Sequence, residues 1–143
     1  MKPSLAPSWF FDTNVLVSTV SADVAKARRA EALLRDGGCV SVQVLNELVS
    51  VLRKKLRFDW LEVETVLAVV HAHCEVIPLD LLLHQEALLL ARLHQLAWYD
   101  ALIVAAAQRV GASVLYSEDM QHGRVFDGGV SRSELRVLNP FLN

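Results

Sequence analysis

A chain of 143 residues, 53% hydrophobic and 21% charged, is long enough to bury one continuous core and too apolar to remain disordered. Its formal net charge of −2 excludes a partner selected by bulk basicity, so a nucleic acid would have to be met by a local stripe of cations. Ten of the fourteen basic residues are arginine, which suits bidentate phosphate recognition but also follows from a GC-rich coding bias.

Met1–Pro7 reads as a flexible tail, with residues 8–143 forming a single domain. Pro3, Pro7, Asp12 and Asn14 interrupt the apolar run that a secretory signal needs, and no apolar run approaches membrane-spanning length. Trp9-Phe10-Phe11 predicts a first strand. Ala22–Asp36 has helical spacing and stops at Gly37-Gly38. Cys39–Ser41 predicts a second strand, and Val42–Leu56 a helix with Leu45, Leu48, Val49, Leu52 and Leu56 at helical spacing. Asp59 is placed to cap a helix over Trp60–His73. A short strand at Val76-Ile77 ends at Pro78. A helix from Asp80 to Gln95 follows, then one from Trp98 to Val110. Ser113–Tyr116 and Arg136–Leu138 complete the strands. Strands alternating with helices imply parallel pairing through right-handed crossovers. The expected fold is therefore a three-layer α/β/α sandwich with a central parallel sheet of about five strands and ligands at the strands' carboxyl ends. Cys39 and Cys74 are isolated and read as reduced core thiols of a cytoplasmic protein, and the surplus of apolar residues leans towards an oligomer.

Four acids stand apart from those on polar helix faces. Asp12 ends the aromatic strand, though it is equally placed to cap a following helix. Glu47 lies between Val44 and Val51 on its helix ridge. Asp100 opens a helix whose next seven residues are apolar; the helix dipole alone would also favour it there. Asp119 follows the fourth strand, with Glu118 beside it as a solvated acid or substitute ligand. Parallel topology brings all four to one sheet edge. Like charges about 4 Å apart repel by roughly 4 kcal/mol at an effective dielectric near 20, so such a cluster takes up protons or binds a cation. Hard oxygen donors without His or Cys favour Mg²⁺ or Mn²⁺, and the chemistry such a site performs on phosphate esters is hydrolysis.

Phe11-Asp12-Thr13-Asn14, Asn46-Glu47, Tyr99-Asp100-Ala101 and Ser117-Glu118-Asp119, taken in order, resemble the acidic motifs of PIN-domain nucleases, above all the VapC-like toxins of type II toxin–antitoxin systems. The resemblance covers nearly the whole chain. It implies a metal-dependent endoribonuclease in which Asp12, Glu47, Asp100 and Asp119 are both catalytic residues and ligands of one or two Mg²⁺ or Mn²⁺ ions. Asn14 and Ser117 match small polar positions that orient an acid or a water. The implied substrate is single-stranded or looped RNA, the implied partner a cognate antitoxin, and the implied assembly a homodimer. The chain lacks the further acid that many relatives carry two residues after the fourth, having Asp119-Met120-Gln121 instead. Arg53, Lys54, Lys55, Arg57 and Arg124 are candidate RNA contacts, with Arg28 and Arg29 behind them, although cations at a helix carboxyl end also serve the helix itself. His122 reads as a surface-loop residue. The alternative function is a PIN fold that binds RNA or protein without cutting. A phosphotransfer site is disfavoured because lysines stand only at positions 2, 26, 54 and 55, and there is no phosphate-cradling glycine loop.

Overall fold

A computed structural model describes residues 9–127 and 134–142; the expected tail, Met1–Pro7, lies outside them. The strands are β1 (Trp9–Phe11), β2 (Gly38–Ser41), β3 (Cys74–Ile77), β4 (Val114–Tyr116), β5 (Val125–Phe126) and β6 (Leu135–Leu138). The helices are α1 (Thr13–Ser18), α2 (Val24–Arg35), α3 (Val42–Lys54), α4 (Trp60–His73), α5 (Leu81–His94) and α6 (Trp98–Arg109). The sheet runs β3-β2-β1-β4-β6-β5. Its first five members are parallel, and β5 is added antiparallel at the edge. Helices α1 to α4 pack on one another, α5 packs on α6, and α6 also meets β2 and α3. The fold is the three-layer α/β arrangement expected from the sequence.

Two elements were not foreseen. Helix α1 has only six residues, too few for a helical period to register, and it contains β-branched Thr13, Val15 and Val17. Strand β5 has two residues and is held by pairing with β6 rather than by its own pattern.

The chain leaves β1 for β2 and β3 on one side, then returns to β4 on the other. The order therefore reverses between β1 and β4, the place where open α/β sheets receive ligands. Phe10 and Phe11 of β1 are fully buried. Gly38 makes this possible: a Cβ there would come within 2.6 Å of the Phe11 ring. Gly37, at φ +84°, turns the chain out of α2. Helix α6 is central, with every residue from Ala101 to Gln108 buried. Among the described residues no single helix is long and apolar enough to cross a membrane, and α5 and α6 are bent 114° apart.

Candidate active site at the sheet switch point

The register of β1 on β4 pairs Phe11 with Tyr116, which sets the next residues, Asp12 and Ser117, side by side. Asp12 donates its N–H to the Tyr116 carbonyl at 2.9 Å. Its side chain is 5% exposed and accepts three hydrogen bonds. The Thr13 N–H donates to Oδ1 at 2.7 Å, while the Ser117 hydroxyl at 2.7 Å and the Asn14 amide at 3.2 Å donate to Oδ2. Asp12 thus caps α1 and is also held from β4, so its local and long-range roles coincide. Ser117 Oγ in turn accepts from the Met120 N–H at 3.1 Å, and Asn14 Oδ1 from the Glu118 N–H at 3.0 Å.

Glu47 stands one turn into α3, directly after β2. The Thr13 hydroxyl donates to one of its oxygens at 2.6 Å and the Gln43 amide to the other at 3.1 Å, fixing the carboxylate from both sides. Asp100 occupies the first turn of α6, whose N-cap Ala97 supplies no side-chain cap, so its charge also serves the helix dipole. Asp119 is exposed in the loop after β4. These four acids, from four separate parts of the chain, line one cleft of about 760 Å³.

The electrostatics record their crowding. The Asp12 carboxyl is pushed up from 3.8 to about 6, first by burial, with Asp100 and Glu47 adding to the rise and the Ser117 and Thr13 hydrogen bonds opposing it. Asp100 is also raised, by burial, then by Glu47 and Asp119. Among the described residues none of the four is in an ion pair. Nor do any three acids, histidines or cysteines close on a metal ion by themselves. Mg²⁺ keeps several waters and uses one or two carboxylates plus substrate oxygens rather than an all-protein cage. Asp12 fits such a ligand: three of its roughly four acceptor positions are filled, which leaves one open. The hard, all-oxygen donor set suits Mg²⁺ or Mn²⁺ equally.

The neighbouring charges sort themselves. Glu118 is paired with Lys26 at 2.6 Å, so its charge is spent within the protein. Lys26 also lies over the Phe141 ring. Of the sequence-nominated cations only Lys55 lines the cleft. Arg53 donates to the Phe58 carbonyl and stacks on Trp60. Lys54 and Arg57 are exposed and do not line the cleft, Arg57 with φ +57°. Arg124 donates to the His94 carbonyl and lies over Phe126, and Arg29 donates to the Pro140 carbonyl. Arg28 is exposed on α2. His122 accepts from the Asn139 N–H at 2.9 Å, which ties the β4–β5 loop to the residue after β6. Sequence reasoning missed Thr13, Gln43, Lys26 and Tyr99 as cleft or supporting residues. Gln43 was readable, four residues before Glu47 on the same helix face; the partnership of Thr13 with Glu47 needed the packing of α1 on α3.

A PIN domain family model matches residues 9–126. No curated protein matches the chain in sequence. Among solved structures, a toxin–antitoxin complex from Klebsiella pneumoniae superposes with a TM-score of 0.66 at 21% identity, covering 95% of this chain and 100% of that one. VapC20 of Mycobacterium tuberculosis, described as a sarcin-ricin loop cleaving toxin, gives 0.65 at 21% identity, covering 78% and 90%. VapBC2 from Rickettsia felis, bound to a DNA fragment from its promoter, gives 0.61 at 18% identity, covering 97% and 100%. At these identities the likeness establishes a shared fold.

Proposed function

The chain belongs to the PIN domain family, and from that premise we propose that it is a metal-dependent endoribonuclease, the toxin of a toxin–antitoxin pair. One observation carries the reading. Four carboxylates that make no ion pair among the described residues converge on one cleft at the sheet's switch point, and burial and mutual repulsion hold two of them above their ordinary range.

Asp12, Glu47, Asp100 and Asp119 are the candidate ligands, of which one or two would bind the ion directly and the others through its waters. A divalent Mg²⁺ or Mn²⁺ supplies Lewis acidity towards a phosphodiester oxygen and makes a water nucleophilic at neutral pH. The chain's own groups do the positioning. Ser117, Asn14 and the Thr13 N–H fix both oxygens of Asp12, and Thr13 and Gln43 fix Glu47, so neither acid has to reorganise when phosphate arrives. Asp119 is the exposed member of the four. Lys55, on the same wall, offers a cation to a backbone phosphate.

The antitoxin and a homodimer draw support from the surface and the neighbours. Leu81, Leu82, Leu88, Leu89 and Leu93 are all exposed on α5, more apolar surface on one helix than a solitary domain usually leaves open. Two of the structural neighbours are toxin–antitoxin assemblies.

The test is cleavage of RNA by purified protein with Mg²⁺ or Mn²⁺, with EDTA, and with Asp12→Asn. Cleavage is expected only from the native chain with metal. Equal cleavage by Asp12→Asn would assign the activity to a contaminant. Matched RNA and DNA strands decide the sugar, and preferential cutting of DNA would overturn the RNA assignment.

A further inference from the structure

The acid cleft has apolar lining residues that neither metal binding nor phosphate recognition uses. Val17, Val20, Val51, Leu56 and Tyr99 line it among the carboxylates. Tyr99 stands out within that set. It is 58% exposed, although it is adjacent in sequence to Asp100 and begins the most buried helix of the fold. Two other aromatic residues, its chain neighbour and the second tyrosine, are occupied. Trp98, one position earlier, meets His84 edge-on at 5.1 Å, and Tyr116, the other tyrosine, is stacked on Phe11 at 6.0 Å. Among the described residues the Tyr99 ring has no aromatic partner and its hydroxyl no hydrogen bond.

A lone exposed apolar residue on a convex surface calls for no explanation. An unpartnered aromatic ring beside a carboxylate that would hold the ion met by the reacting phosphate is a different case. Whatever brings a phosphodiester to Asp100 also brings the sugar and base attached to it. Every base has a flat apolar face, and in a duplex both faces are covered by its neighbours. A ring standing at the cleft wall offers a cover for one face only to a base that has left its stack.

Resting on the nucleic-acid reading of the cleft, we propose that Tyr99 is the platform on which an unpaired base flanking the scissile phosphate stacks. It is a specificity residue: it reads whether the strand is single, and it is tolerant of which base stacks.

The test uses the full chain and a short labelled single-stranded RNA, alongside the same RNA with an abasic site moved along it. Binding is followed by fluorescence anisotropy with Ca²⁺ replacing Mg²⁺, and cleavage kinetics are measured with Mg²⁺. Tyr99→Ala is expected to weaken binding about tenfold and to raise KM by a similar factor with kcat little changed. Tyr99→Phe, which keeps the ring, is expected to stay within about twofold of the native protein, which separates stacking from a folding defect. One abasic position should weaken the native protein to the level of Tyr99→Ala and add nothing further to that variant.

Unchanged binding by Tyr99→Ala, or independent additive losses from the variant and the abasic site, would overturn the assignment. If the native chain cleaves and Tyr99→Ala cleaves equally well at the same KM, the platform fails while the nuclease reading stands. If the native chain binds with this Tyr99–base coupling but fails to cleave whether Mg²⁺ or Mn²⁺ is supplied, the platform stands and the nuclease reading fails. A Tyr99→Ala that binds RNA normally but loses self-association assigns the ring to a protein contact and overturns the proposal.

Discussion

The two ends of helix α6 treat carboxylates in opposite ways. At its carboxyl end Arg109 reaches Asp80 at 3.0 Å and Glu86 at 3.6 Å. The Leu83 N–H and then the Arg109 guanidinium hold Asp80 below the usual carboxylate value. At its amino end Asp100 faces the fields of Glu47 and Asp119, and the nearby Asp12 is lifted to about 6. One group of acids is neutralised by the fold, as is common for a cap with a basic neighbour. The other makes no ion pair among the described residues. Acid count alone does not separate the two; the presence or absence of an internal cation does.

Substitutions that distinguish the two ends should do so most strongly in cleavage. Asp12→Asn or Asp100→Asn should lower metal-dependent RNA cleavage by more than about a hundredfold, beyond the loss usual for an outer-sphere partner. Asp80→Asn should leave it nearly unchanged. A gel assay of initial rates decides, and comparable losses at both ends would erase the distinction.

Stability without metal should move in opposite directions. Because the folded pKa of Asp12 lies above its ordinary value, the neutral form favours folding. That stability is fully present below pH 3.8 and lost as pH rises through about 6. The rise corresponds to about 3 kcal/mol, at 1.36 kcal/mol per pH unit. In EDTA, Asp12→Asn should therefore be more stable than the native chain at pH 7.5, by up to that amount, and no more stable near pH 3.5. Asp80, whose pKa is lowered, contributes stability above the ordinary carboxylate value and loses it on acidification, so Asp80→Asn should slightly destabilise at neutral pH. Urea unfolding at the two pH values measures both.

Ser117→Ala removes a hydrogen bond that favours ionised Asp12. It should weaken Mn²⁺ binding by about tenfold and shift the pH midpoint of binding upward, as read by calorimetry at a series of pH values. The smallest effect should come from Lys55→Gln. It should reduce the salt slope of RNA binding by about one, whereas Lys54→Gln should leave the slope unchanged.

Much of this was legible because each clue was local. Short apolar runs marked all five parallel strands, and Asp59 and Asp80 marked helix starts that the structure bears out. The four acids were readable from their positions at strand ends or early in the following helix, once parallel topology was assumed. What remained hidden depended on contacts across the fold. Helix α1 was too short to show a period. The Thr13–Glu47 hydrogen bond joins residues 34 positions apart, and the Ser117–Asp12 bond joins residues 105 apart. Arg53 and Lys55 look alike in sequence, yet the turn of α3 sends one to Phe58 and Trp60 and the other to the cleft.

The most direct measurement of the central claim is an anomalous difference map from a crystal soaked in Mn²⁺. A peak among Asp12, Glu47, Asp100 and Asp119, absent from the Asp12→Asn crystal, is the predicted result. A soaked crystal with no peak in that cleft, or with its manganese at the Asp80–Glu86 end of α6, would contradict the account.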